Sequence, residues 1–150
     1  MEEIRNRVIA HGVKRVVIDS LSGLELALAP HFREDFRETL HRMVAMLTSM
    51  GITLLLTVEV VDSYIDLRFS PHGTAFLTDG IILQRYIELA GQIKRMTGVV
   101  KLRGSQHSKE LRLYEVTNKG IVIGTWLKGY EGLMSGTPSR LGKPDSKKAR

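Results

Sequence analysis

The spacing of apolar positions changes character partway along this chain. In EEIRNRVIAHG (2–12), Ile4, Val8 and Ile9 recur at helical intervals and Gly12 supplies a stop, so the spacing predicts a first helix. KRVVID (14–19) is then a β-branched run that ends on a carboxylate, Asp19. In FREDFRETLHRMVAMLTSMG (32–51), Phe32, Phe36, Leu40, Met43, Val44 and Leu47 step by three and four, which predicts an amphipathic helix closed by Gly51. ITLLLTVE (52–59) is a second unbroken apolar strand. Continuous apolar strands are those buried on both faces, and two of them joined through a helix predict a right-handed crossover with the strands parallel.

Beyond Glu59 that pattern gives way. Residues 60–78 carry no sustained period and contain Pro71 and Gly73, so they are expected to form a long loop with room for one helical turn. From Gly80 on, IILQRYIE, QIKRMTGVVKLRG, ELRLYEVT and IVIG read as strands, separated by only LAG, SQHSK and NKG. Such short connections make antiparallel hairpins. The expected fold class is therefore α/β, with a sheet that begins parallel and finishes antiparallel. There is no internal repeat.

Composition narrows the class. At 150 residues and 43% hydrophobic, the chain is long enough for one hydrophobic core and needs no second domain. No apolar run is long enough to cross a membrane, and Met1 leads straight into EEIRNR, which is not a signal peptide, so a cytoplasmic protein is expected. The absence of cysteine excludes disulfides and thiolate metal sites. Net charge is +6, but RLGKPDSKKAR (140–150) holds five cations against one carboxylate, which places +4 in the tail and leaves +2 for the rest. Residues 1–139 are therefore expected to form the domain and 140–150 a disordered basic extension. With a near-neutral body and no interleaving of aromatic and basic residues, nucleic acid is not an expected partner.

Two places carry candidate chemistry. Asp19 ends a strand of the parallel part, where ligands of α/β sheets bind, and a strand-terminal Asp after an apolar run is the Walker B pattern that positions Mg²⁺ or its waters against nucleotide phosphates. The alternative is a turn cap, with Asp19 accepting backbone N–H bonds within DSLSG. Lys101 and Arg103, two apart on a strand, present two cations on one side while Val100 and Leu102 face the other; that pair suits a phosphate, the alternative being an ordinary solvated strand face. The five histidines, at 11, 31, 41, 72 and 107, lack metal-ligand spacing, and Gly98 and Gly104 are expected to serve a turn or bulge.

RVVIDSLSGLE, FLTDGIILQRYIE, RMTGVVKLRGSQHSKELRLYEVTNKGIVI and GYEGLMSGTPSR together resemble the KaiC-type ATPases, RecA-superfamily proteins that include the circadian clock hexamer of cyanobacteria. KLRGSQH is the most specific piece, close to the family's Lys-x-Arg-Gly-Ser/Thr-x-His signature. The resemblance implies a RecA-like three-layer sheet, Mg²⁺ and ATP as ligands, and sites at the subunit interfaces of an oligomer, a hexameric ring in the parent. It implies that Asp19 serves the metal, and that Lys101 and Arg103 reach a neighbouring protomer's γ-phosphate as a trans finger. It also implies nucleotide contacts from Ser105 and His107, a backbone and packing role for Leu102, a place near the base or ribose for Thr117 and Asn118, and a phosphate contact from Arg95. Members are ATP hydrolases, some with autokinase activity, and regulatory proteins are further partners.

One departure governs what this chain is expected to do alone. A P-loop requires Gly-x-x-x-x-Gly-Lys-Ser/Thr, whose amides and lysine hold the β- and γ-phosphates. The only Gly-Lys here is Gly142-Lys143, followed by Pro144 and with Thr137 where the first glycine should stand. The family's acidic pair also lies upstream of the Walker B strand, and Glu2 and Glu3 cannot replace it. The chain thus resembles the C-terminal part of one KaiC-type domain and is expected to be inactive by itself, completing sites together with P-loop-containing subunits. The competing expectation is a non-catalytic RecA-like interaction module.

Overall fold

Helix α1 (Glu2–Ala10) opens with two glutamates, which suit the positive end of the helix dipole, and Arg7 bridges back to Glu3 at 2.9 Å. Gly12 follows at φ +60°, the left-handed conformation that stops a helix. This is a computed structural model, in which residues 2–32, 36–59, 74–136 and 138–141 are described. They divide into two compact units, α1 through β2 with a 3-10 turn at Thr74–Leu77, and the strands from β3 on.

In the first unit, β1 (Arg15–Ile18) pairs in parallel with β2 (Thr53–Leu56), in the register Arg15 to Thr53 and Ile18 to Leu56. Two helices, α2 (Leu21–Phe32) and α3 (Phe36–Ser49), connect them. Helix α3 falls where its apolar period predicts, and Gly51 closes it at φ +72°. Helix α2 occupies a segment whose start reads as a turn. Ser20 starts it, because its hydroxyl accepts from Gly23 N–H at 3.4 Å and its carbonyl takes the first helical bond from Leu24. Gly23 and Pro30 hide the period of α2 in the sequence.

Val8, Leu21, Phe36, Leu40, Met43, Leu47 and Ile52 form the core of this unit, with Val16, Ile18, Leu54 and Leu56 packed against it. The opposite face of the sheet does not follow the expectation that both strands are buried on both sides. Val17 and Leu55 are 61% and 56% exposed, since α3 and its neighbours cover one face only.

In the second unit, β3 (Gly80–Leu89), β4 (Gln92–Leu102), β5 (Arg112–Thr117) and β6 (Gly120–Trp126) form one antiparallel sheet in sequence order. Ala90 and Gly91 join β3 to β4 with φ of 51° and 73°, the paired positive values of a tight hairpin turn that matches strand twist. Leu83, Ile87 and Met96 are buried on one face. The register shifts once, with Ile82 facing Val99 and Ile81 facing Lys101, so Val100 is an extra residue bulged out of β4. A short pair, β7 (Tyr130–Glu131) and β8 (Ser139–Arg140), follows. Arg140, expected to begin the tail, pairs with Tyr130, and residues 142–150 lie outside the described residues. Parallel strands joined through helices, followed by an antiparallel sheet, make this an α/β chain as the sequence predicts.

Candidate functional site

Asp19 stands one step past Ile18, and Thr57 one step past Leu56, so the two side chains meet at the carboxyl ends of the parallel strands. Thr57 Oγ1 donates to Asp19 Oδ1 at 2.5 Å. The ladder extends to this point, with Thr57 N–H donating to the Ile18 carbonyl at 3.0 Å and Leu21 N–H to the Thr57 carbonyl at 2.9 Å. The backbone N–H of the following turn is taken by Ser20 rather than by Asp19. Asp19 thus presents an exposed carboxylate steered by a hydroxyl. Its donor set is all oxygen, as a magnesium ion with its waters requires. Thr57 escapes a reading of the sequence because it becomes a partner of Asp19 only once the strand register is known.

A second group lies at the far end of the β3–β4 hairpin. The bulge at Val100 decides which way it faces. Arg95 is opposite Tyr86, and Lys101 is opposite Ile81. Tyr86 and Ile81 are five apart on a regular strand, so they point to opposite faces, and so do Arg95 and Lys101. Two pairs further on, past Leu102 opposite Gly80, Arg103 N–H donates to the Asp79 carbonyl at 2.7 Å, which puts Arg103 on the same side as Lys101. Lys101 Nζ donates to the Thr78 carbonyl at 2.7 Å, and Arg103 Nη1 lies 3.9 Å from Asp79 Oδ1. Thr78 and Asp79, which the sequence gives no reason to single out, therefore hold both cations.

The remaining candidates are spread along the sheet. Leu102 pairs with Gly80, and its side chain is exposed. Beyond the strand Gly104 turns the chain at φ +67°, with the Ser105 hydroxyl on the Gln106 carbonyl at 3.2 Å and His107 Nδ1 3.0 Å from the Ser108 carbonyl. Gly98 is no bulge residue: it pairs with Leu83, and an added Cβ would come 2.5 Å from Leu111 Cδ2, so glycine there admits Leu111. Thr117 and Asn118 sit at the β5–β6 hairpin, where the Thr117 hydroxyl donates to the Gly120 carbonyl and accepts from Lys119 N–H. Arg95 lies in a row with Tyr86 and Tyr114, its guanidinium 5.6 Å from the Tyr86 ring centre. Hydrogen bonding to Tyr86, then the phenol charges of Tyr86 and Tyr114, hold its pKa above the ordinary arginine value. A raised pKa keeps this cation charged at all lower pH, and its contribution fades only as pH climbs through that value.

No group of three or more potential metal ligands occurs among the described residues. No described helix is long and apolar enough to cross a membrane.

The described residues thus combine a strand-terminal Asp on a parallel pair with a late strand bearing Lys-x-Arg in an α/β chain, and comparison with known proteins specifies its family. The model of the family described as "ATPase: KaiC" matches residues 1–128, and the chain belongs to this family of RecA-superfamily ATPases. It is 31% identical over 142 residues to the circadian clock oscillator protein KaiC of Parathermosynechococcus lividus, which covers 94% of this chain and 26% of that protein. It is 32% identical to the circadian clock protein KaiC3 of Synechocystis sp., over 83% of this chain and 24% of that one. Among solved structures, a KaiC-like protein from the hyperthermophilic archaeon Pyrococcus horikoshii superposes with a TM-score of 0.71 at 30% identity, over 83% of this chain and 55% of its own. The chain therefore spans about a quarter of the length of the curated relatives it matches.

Proposed function

We propose that this chain supplies the later half of a KaiC-type nucleotide site. Asp19, steered by Thr57, serves the metal side, and Lys101 with Arg103 serves the phosphates of ATP bound by a P-loop-bearing neighbour. Asp19 would hold magnesium, whose charge would offset that developing on the phosphates. What carries the reading is the register past the Val100 bulge, in which Lys101 and Arg103 share one side of the sheet at the end of a hairpin. Two cations converging from one side can stabilise the charge that accumulates on a transferred phosphoryl group, with Arg offering a planar fork and Lys a point charge. Ser105 and His107, in the turn that follows, and Thr117 with Asn118, at the β5–β6 hairpin, are the proposed further nucleotide contacts. The site is proposed at the subunit interface of an oligomer, in keeping with membership of the KaiC family.

The test combines the chain with P-loop-bearing KaiC-type subunits and follows ATP turnover. Lys101→Ala together with Arg103→Ala is expected to slow hydrolysis roughly a thousandfold, the scale of other trans fingers, while nucleotide remains bound at the host P-loop. Turnover unchanged by the double substitution would reject the finger and leave a non-catalytic RecA-like module as the better account.

A further inference from the structure

Lys101 and Arg103 do not project into water alone, because the segment that leads into β3 receives both. The Thr78 carbonyl accepts from Lys101 Nζ at 2.7 Å, and the Asp79 carboxylate lies 3.9 Å from Arg103 Nη1 across the strand ends. Both members of that ion pair are open to solvent, with side chains 54% and 84% exposed for Arg103 and Asp79. An exposed pair at this separation is weak and screened by salt, so it yields readily to a stronger anion. The backbone beneath it is fixed, since Arg103 N–H remains bonded to the Asp79 carbonyl whatever the side chains do.

We infer that Asp79 is a built-in counter-anion that competes with polyphosphate for the Lys101 and Arg103 pair, setting the affinity at which a triphosphate can recruit them. The inference rests on the proposed role of Lys101 and Arg103 as phosphate ligands. A carboxylate 3.9 Å from the guanidinium opposes a phosphate by offsetting the cation's charge and by repelling the incoming negative charge. At contact distance one such repulsion in water is worth about fivefold in binding. The Thr78 carbonyl adds a neutral acceptor that Lys101 must release.

The experiment titrates inorganic tripolyphosphate into the full 150-residue chain at low ionic strength and compares it with Asp79→Asn, by calorimetry or amide chemical shifts. The variant is expected to bind about fivefold more tightly, with the gain shrinking as salt rises. Asp79→Ser, also neutral but shorter, must move affinity in the same direction. Because Asp79 is exposed, urea midpoints of both variants should match the parent. Weaker binding by Asp79→Asn would make Asp79 a positioning residue and overturn the counter-anion role, as would unchanged affinity. A separate arm uses Lys101→Ala with Arg103→Ala. If that chain binds tripolyphosphate as well as the parent, or if neither the parent nor Asp79→Asn binds it, the counter-anion role falls, and the phosphate reading is decided by turnover of the assembled ATPase. If the double variant loses affinity while Asp79→Asn gains none, only the counter-anion role falls.

Discussion

Asp19 and Thr57 illustrate how much of a site is carried by single positions. Each is the first residue past the last paired step of its strand, and the bond between them fixes which carboxylate oxygen remains open. Groups that orient a metal's ligands from behind typically matter ten- to hundredfold to metal affinity. Thr57→Val, which keeps the shape and removes the donor, is expected to raise the magnesium concentration required for turnover of the assembled ATPase by about tenfold. A magnesium titration with an unchanged midpoint would reduce Thr57 to a packing residue. Asp19 itself was legible from the sequence as a carboxylate closing an apolar run. Its partner was not, because the contact joins residues 38 positions apart in the sequence.

Elements decide orientation. Strict alternation along β4 gives Arg95, Lys101 and Arg103 one common face, since all three numbers are odd. The bulge at Val100 breaks that parity and leaves Arg95 with Tyr86 and Tyr114, on the side away from the other two. Deleting Val100 removes the extra residue together with the irregularity, so Lys101 is expected to stay opposite Ile81 on its present face and the response of tripolyphosphate binding to Asp79→Asn to survive. Circular dichroism would check that the hairpin survives. At the other end of the same hairpin, Ala90 adopts φ 51°, which costs an L-residue energy that glycine does not spend. Ala90→Gly is expected to stabilise the sheet unit by about 0.5–1 kcal/mol, read as a higher urea midpoint at constant m-value. The strands and their short turns were visible in the sequence, whereas the bulge was not. A bulge is a property of two strands aligned together, and β4 alone gives no sign of it.

For the molecule as a whole, two cores carry the stability. Leu47 is fully buried in the helical unit and Met96 in the sheet unit. Leu47→Ala is expected to lower unfolding free energy by about 2–5 kcal/mol in denaturant titrations, because the cavity it leaves cannot fully collapse. Met96→Ala belongs to the same range, eased by whatever repacking its flexible neighbours permit. Val17 and Leu55 explain a mismatch at this scale. Their strands are written as though covered on both sides, yet one face is open to solvent.

The local order of the chain determined the helices at its start, the two apolar strands, their parallel sense and the run of hairpins, because periodicity and turn residues act over a few neighbours. It also marked Asp19, Lys101 and Arg103 by residue type. Helix α2 was missed, since Gly23 and Pro30 mask a period that burial of Leu21 and the Ser20 cap enforce. Only the tertiary structure decided that Thr57 steers Asp19, that Lys101 and Arg103 turn away from Arg95, and that Thr78 and Asp79 receive them. Each of those outcomes depends on which residues face one another across a ladder, and facing is fixed by register between distant segments.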